Sequence, residues 1–204
     1  MFISLDGIDG AGKSTQIDLL RQHLESQGAS VVCFRDPGST KLGEAVREIL
    51  LHREDIPLAN TSEMLLYMAA RAQLVAEQLW PALQAGSTVI CDRFLLANVV
   101  YQGVAGGLSV DDLWAVGKCA TGGLHPDATI VLDLDPEVAF QRIQRGPDRL
   151  EKRGLEYFRL VRQGFLEQVA HTGGKATVVD AMQEIQHIHR QIADFVHQVT
   201  SCKD

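Results

Sequence analysis

Eight residues near the start of the chain, Gly7-Ile8-Asp9-Gly10-Ala11-Gly12-Lys13-Ser14, constrain the fold more than any other stretch. They match G-x-x-x-x-G-K-[ST] in full. An apolar run, Phe2–Asp6, precedes them, and a stretch with Leu19, Leu20 and Leu24 on one helical face follows. A glycine-rich turn between a strand and a helix lets backbone N–H groups curl around phosphate oxygens, and the helix N-terminus adds a favourable dipole. Lys13 then reaches the β- and γ-phosphates of a nucleotide, and the Ser14 hydroxyl can ligate Mg²⁺. The cradle predicted for a nucleoside triphosphate is Gly7, Ile8, Asp9, Gly10, Ala11, Gly12, Lys13, Ser14 and Thr15.

The rest of the chain fits a strand–helix alternation. Five short Val/Ile/Leu-rich runs recur at Phe2–Asp6, Ser30–Arg35, Ser87–Asp92, Ala128–Leu134 and Ala176–Asp180. They show little alternation, which is how strands covered on both faces read. Helical periodicity appears at Leu42, Val46, Ile49 and Leu50, and again at Leu65, Met68, Ala69, Ala72, Val75, Ala76 and Leu79. Further helices are predicted over Val110–Cys119, Pro136–Arg145, Leu155–Val169 and Ile185–Val199. The pattern predicts a three-layer α/β fold around a parallel sheet. With 204 residues, a single domain is expected over 1–204. Gly103–Gly107 reads as a loop. Arg145–Gly154 carries Arg145, Arg149, Lys152 and Arg153 between glycines and a proline, and reads as a lid joining two helices.

Composition excludes several classes. Basic residues number 19 against 26 acidic, a net charge of -7, and a nucleic-acid polymer binder needs the opposite balance. No apolar run reaches the ~18 residues of a membrane span. Among the four cysteines no two form a C-x-x-C pair, and Cys33 and Cys91 fall in strand-like runs, so buried, reduced thiols are predicted. With no basic and apolar leader pattern at the start, a cytoplasmic location is expected.

A nucleotide cradle alone does not name a reaction. The guanine-reading N-K-x-D is absent, which weighs against a GTPase switch. A small chain with a basic lid points to a small-molecule kinase. The third strand ends in Asp92-Arg93-Phe94, and the carboxyl ends of parallel strands line the ligand crevice in such folds. Asp92 is placed to hold Mg²⁺ directly or through water, and Arg93 to clamp an acceptor phosphate with its planar fork. Tyr67 and Arg71, four residues apart, meet on one helix face. A nucleoside kinase would not need Arg71 and Arg93 together, and a regulatory module without turnover would not need an intact basic lid.

Five segments occur in a specific order and spacing: GIDGAGKST, FRDPGST (Phe34–Thr40), YMAARAQ (Tyr67–Gln73), DRF…NVVYQG (Asp92–Gly103) and DRLE (Asp148–Glu151). Together they resemble the thymidylate kinase family over essentially the whole chain. The resemblance implies a strand order of 2-3-1-4-5, ATP and dTMP as substrates, Mg²⁺, and a helix-mediated homodimer. It implies that Asp9 lies near the acceptor's 3′-hydroxyl and the transferred phosphate. Tyr67 would stack on thymine, and Arg71 would hold the acceptor's phosphate or hydrogen-bond its base. Asn98, Tyr101 and Gln102 would line the base and deoxyribose, and Asp36 would also reach the substrate. Arg142 and Arg145 would contact ATP, while Asp148 and Glu151 would organise the lid. The resemblance also places the catalytic groups at Lys13, Asp9, Arg93 and a lid arginine. Some members carry an arginine inside the P-loop; here that position is Gly10, so the lid must supply it, with Arg149 first in line and Arg145 and Arg153 behind. Departures from the usual pattern are Asp36-Pro37-Gly38-Ser39 for Glu-Pro-Gly-Gly, Phe94 for Tyr or His, Ala97 for Ser, and Val100 for Ala.

Overall fold

In the computed structural model, residues 1–142 and 149–201 are described. Five parallel strands form one sheet: β1 (Phe2–Asp6), β2 (Val31–Arg35), β3 (Thr88–Asp92), β4 (Ala128–Asp133) and β5 (Lys175–Asp180). Their order is β2-β3-β1-β4-β5, as the family resemblance implied. The registers Leu5↔Asp92 and Asp6↔Val131 bring the ends of β1 and β3 together where the glycine-rich turn begins, and carry β4 two residues past them to Asp133.

The helices are α1 (Lys13–Ser26), α2 (Lys41–Leu51), α3 (Asn60–Leu74), α4 (Trp80–Gln84), α5 (Leu95–Asn98), α6 (Val110–Thr121), α7 (Pro136–Arg142), α8 (Leu155–Gln168) and α9 (Ile185–Ser201). Successive strand residues point to opposite faces. Ile3, Leu5 and Ile90 therefore join Leu20 of α1 and Ile192 of α9 in one apolar cluster, while Phe2, Val89 and Cys91 join Met68 of α3 and Leu113 of α6 in another. None of the described helices is long and apolar enough to cross a membrane.

Three expectations fail, each for a tertiary reason. Only the central strands are covered on both faces. β2 and β5 are the sheet edges, and Cys33 on β2 is exposed while Cys91 on β3 is buried. An apolar run does not say which strand ends up at an edge. The helical faces drawn from periodicity are also rotated: Leu42 and Leu65 are exposed, 45% and 49% respectively, and the buried face of α3 carries Glu63, Tyr67 and Arg71. Finally, Gly103 is not loop. It lies inside a widened π-helical turn, Val99–Val104, that continues α5, and the expected loop begins only at Ala105. A second such turn, Val75–Leu79, joins α3 to α4. Inserted turns of this kind concentrate at functional sites, and the first carries Tyr101 and Gln102 into the cleft.

Candidate active site

The glycine-rich turn is shaped by close backbone contacts. A Cβ on Gly7 would lie 2.5 Å from the Leu132 carbonyl oxygen of β4, and one on Gly10 would lie 2.7 Å from that of Ala139 on α7. Gly12 caps α1 in the left-handed region, at φ +92°, and no side chain bonds the first N–H groups of the helix. Those donors and the helix dipole face the turn. Lys13 curls back over the loop, donating from Nζ to the carbonyls of Gly7 (3.1 Å) and Ile8 (2.9 Å), with Asp9 Oδ1 at 3.7 Å. Burial, and then the neighbouring Arg93, push its ammonium below the ordinary lysine range. Ser14 is exposed at the first turn of α1 and lines an open cavity with Asp92. Asp92 Oδ1 is buried without a hydrogen-bond partner among the described residues.

Beside the cradle lies a second pocket. Its lining unites residues predicted from five separate segments: Asp9, Asp36, Tyr67, Arg71, Arg93, Asn98, Tyr101 and Gln102. Two arginines dominate it. Arg93 sits at φ +68°, an uncommon backbone state for a side-chain-bearing residue, which turns its guanidinium back toward the cradle. It donates to the Gly7 carbonyl (2.6 Å) and to Asp9 Oδ1 (2.8 Å) and lies 5.2 Å from the centre of the Tyr101 ring. Arg71 is 1% exposed. It donates from Nε to Asp36 Oδ2 (2.6 Å) and from Nη1 to Asn98 Oδ1 (2.9 Å). Burial pushes the Asp36 carboxyl up, and Arg71 draws it back. Asp36 Oδ1 and the Tyr101 hydroxyl are buried and unpartnered among the described residues, two polar atoms facing a pocket that a ligand could satisfy. Burial raises the Tyr101 hydroxyl well above the usual phenol range, so it stays neutral.

The turn after β2 explains one departure from the family pattern. Ser39 sits at φ +63°, where glycine is the comfortable residue. Glu44 accepts from its N–H (2.8 Å), and its hydroxyl accepts from the Arg35 N–H (2.9 Å), so local bonds hold the serine in place.

Sequence reasoning missed two residues here. Arg47 of α2 lines the pocket, and among the described residues its hydrogen bond is to the Pro37 carbonyl (3.1 Å) rather than to a carboxylate. Burial and nearby Arg35 lower its guanidinium from the usual range. The available signal was its i, i+4 spacing to Leu51, which lines the same pocket. Glu63, 2% exposed, was missed as well. Of the lid, Arg145 and Asp148 lie outside the described residues. Arg149 donates to the Ile56 carbonyl (3.3 Å), in the loop between α2 and α3. Glu151 is buried in a short 3₁₀ turn, and Arg153 is bound to Glu63 (2.7 Å) rather than facing the cradle. Arg142, at the end of α7, reaches the Ala181 carbonyl at 3.4 Å. The described residues contain no group of three or more His, Cys, Asp or Glu that could hold a metal ion.

A thymidylate kinase family profile matches residues 5–192. The chain belongs to the thymidylate kinase family. It is 47% identical over 191 residues to a thymidylate kinase of Rhodopirellula baltica, covering 94% of this chain and 78% of that one. It is 44% identical over 198 residues to one of Caldanaerobacter subterraneus, covering 97% and 95%. The crystal structure of thymidylate kinase from Ehrlichia chaffeensis superposes with a TM-score of 0.78 at 28% identity, covering 96% of this chain and 98% of that one. The chain is therefore a phosphotransferase of this family, a nucleotide kinase with ATP as phosphate donor.

Proposed function

We propose that the chain transfers the γ-phosphoryl of ATP to dTMP, with ATP on the Gly7–Thr15 cradle and dTMP in the pocket between α3 and the Val99–Val104 turn. The observation that carries this arrangement is the pocket's two-ended charge. Arg93 stands at the cradle end, bonded to Gly7 and Asp9, and Arg71 stands at the far end, bonded to Asn98. An acceptor phosphate must meet the donor's γ-phosphoryl, so it belongs at the Arg93 end, with Arg47 as a further cation beside it. The base then lies at the far end, against Arg71 and Asn98, with Tyr67 over its face. Tyr101 crowds the sugar and favours deoxyribose; Val100, expected beside the sugar from the family pattern, is instead buried against Gly164 of α8, outside the pocket lining.

Catalysis here is positioning and charge neutralisation, because phosphoryl transfer needs no strong base or covalent intermediate. Lys13 and Arg93 stabilise charge on the transferred group, and Asp9 holds both cations in line near the sugar 3′-hydroxyl. The unpartnered Asp92 Oδ1 beside exposed Ser14 suits Mg²⁺, which favours oxygen ligands and retains water. When bound, Mg²⁺ would neutralise and orient the donor phosphates, with Ser14 and Asp92 holding it. The basic segment 145–154 serves as the lid, with Arg149 the catalytic arginine and Arg142 and Arg145 against ATP.

The test is ADP release over a panel of nucleosides and monophosphates, with Arg93→Ala alongside. dTMP should be used in strong preference to thymidine, and Arg93→Ala should weaken dTMP by roughly 2–5 kcal/mol, the scale of a truncated charge-assisted contact, with little effect on ATP. Thymidine outperforming dTMP would refute the arrangement.

A homodimer is also proposed. Leu65, Ala69, Ala76 and Trp80 form an exposed apolar stripe along α3 and its continuation, and such stripes mark association surfaces. Light scattering should show a dimer for the chain and a monomer for Leu65→Asp; a monomeric chain contradicts the proposal.

A further inference from the structure

A line of buried polar side chains leads away from the base end of the pocket to the lid arm, and it has a direction. Glu63 Oε1 accepts from Gln102 Nε2 (2.8 Å). Gln102 Oε1 accepts from Asn98 Nδ2 (2.8 Å). Asn98 Oδ1 accepts from Arg71 Nη1 (2.9 Å). The other Glu63 oxygen accepts from Arg153 Nη2 (2.7 Å). Arg153 also donates to the Tyr157 hydroxyl (3.3 Å), which itself donates to the Tyr101 carbonyl (2.7 Å). Glu63, Gln102, Asn98 and Arg71 are each 2% exposed or less.

A carboxylate only accepts and a guanidinium only donates, whereas an amide side chain does either, according to which way it is turned. The orientation of the two amides is therefore imposed from the ends of the line. Glu63 makes Gln102 present its NH₂ and so makes Asn98 present its own NH₂ to Gln102, while Arg71 calls for the Asn98 oxygen from the other end, and the two demands agree.

We propose that Glu63 is a positioning residue that fixes the orientation of the Gln102 and Asn98 amides and thereby makes the pocket prefer thymine over cytosine. The inference rests on the placement of the base against Arg71 and Asn98. With the line set as observed, the pocket wall offers a donor, Arg71, beside an acceptor, Asn98 Oδ1. Thymine carries the complementary edge, a carbonyl acceptor beside an N–H donor. Cytosine carries an amine donor beside an unprotonated ring nitrogen, so both of its groups meet their own kind.

Glu63→Gln tests this with almost no change in shape. Arg153 compels the new amide to turn its oxygen outward, so its NH₂ faces Gln102. Arg71 still calls for an oxygen at Asn98, so the two ends of the line now conflict: when Gln102 reverses to accept from the new NH₂, Asn98 either meets NH₂ with NH₂ or reverses against Arg71 and turns toward the base an NH₂ that an unprotonated ring nitrogen accepts. The ratio of kcat/KM for dTMP to that for dCMP should fall by about tenfold or more, the scale set by an unmet buried polar group. Adding Arg153→Met removes the compulsion, so the double variant Glu63→Gln/Arg153→Met should recover most of the ratio. A purely structural role would lower both substrates together and give no recovery, and either result overturns the proposal. If melting temperatures show that Glu63→Gln does not fold, Gln102→Leu interrupts the line instead, and an unchanged ratio in that variant is equally fatal. Asn98→Ala, run in parallel, separates the two levels of the argument. If it leaves the ratio untouched, the base does not lie against this wall and the pocket assignment fails. If it shifts the ratio while Glu63→Gln does not, only the role of Glu63 fails.

Discussion

The two halves of the cleft are built on opposite plans. On the donor side the groups that would bind phosphate turn inward or stay open: Lys13 bonds the carbonyls of its own loop, the first N–H groups of α1 have no side-chain cap, and Asp92 Oδ1 has no partner among the described residues. On the acceptor side most polar side chains bond one another, in a line running from Asp36 through Arg71, Asn98 and Gln102 to Glu63 and Arg153, and Asp36 Oδ1 and the Tyr101 hydroxyl are the atoms left unpartnered there among the described residues. The donor side is thus completed by its ligand, while the acceptor side is organised before a ligand arrives. The contrast follows from what each must recognise. A polyphosphate is met by backbone N–H groups that any nucleotide can use. One base among several is distinguished only by side chains whose donors and acceptors cannot turn.

The largest effects should come from completing or denying the donor side. Arg149 is held at the Ile56 carbonyl in the present conformation; as the proposed catalytic arginine it would leave that contact to meet the transferred phosphoryl, and its contribution would be confined to the closed, reacting state. Arg149→Ala should lower kcat by roughly 10³ or more with little change in KM for dTMP. Lys13→Ala should cost about 10² in kcat with a nearly unchanged melting temperature. Stopped-flow ADP release and calorimetry measure both, and the contrast collapses if either variant turns over normally.

A smaller effect sharpens the acceptor side. Burial pushes the Tyr157 hydroxyl up to about 12 from 10.0. The folded protein therefore keeps this proton at a pH where the unfolded chain has lost it. The resulting stability is fully present below pH 10 and is lost as pH rises through 12. Each tenfold step in acidity is worth ~1.36 kcal/mol, which sets a ceiling of about 2.7 kcal/mol. Partial solvent access reduces this to roughly 1–2 kcal/mol. Urea unfolding at pH 9 and 11.5 should show Tyr157→Phe lacking that part of the alkaline loss; parallel curves would mean that the hydroxyl does not hold the lid arm.

The same asymmetry governs what the sequence could reveal. The donor cradle is contiguous, from Gly7 to Ser14, and its neighbours Phe2–Asp6 and Leu19–Leu24 carry the strand and helix patterns it requires, so sequence and structure agree there. Strand order follows from family resemblance, but edge status does not follow from composition, so the run Ser30–Arg35 reads as buried although Cys33 is exposed. On the acceptor side, local motifs supplied Arg71, Asn98 and Tyr101 as members of the pocket. Their wiring depends on residues far apart in the chain: Glu63 meets Arg153 across 90 positions, and Arg71 meets Asp36 across 35. Glu63 reads in the sequence as an ordinary first-turn helix carboxylate. Arg47 sits in a helix whose apolar spacing drew attention to Val46 and Leu50 instead.

The close approach of Gly10 to the Ala139 carbonyl has a consequence for how this chain can change by mutation. Any side chain at position 10 meets the α7 backbone at 2.7 Å and must also adopt φ +81°. An arginine there cannot be reached by one substitution that leaves the cradle intact. Helix α7 would have to move first, and the segment proposed as the lid follows α7 in the sequence. If the proposed lid arginines carry the reaction, a lineage starting from this sequence keeps them, because the single substitution that would place an arginine in the cradle meets the α7 backbone.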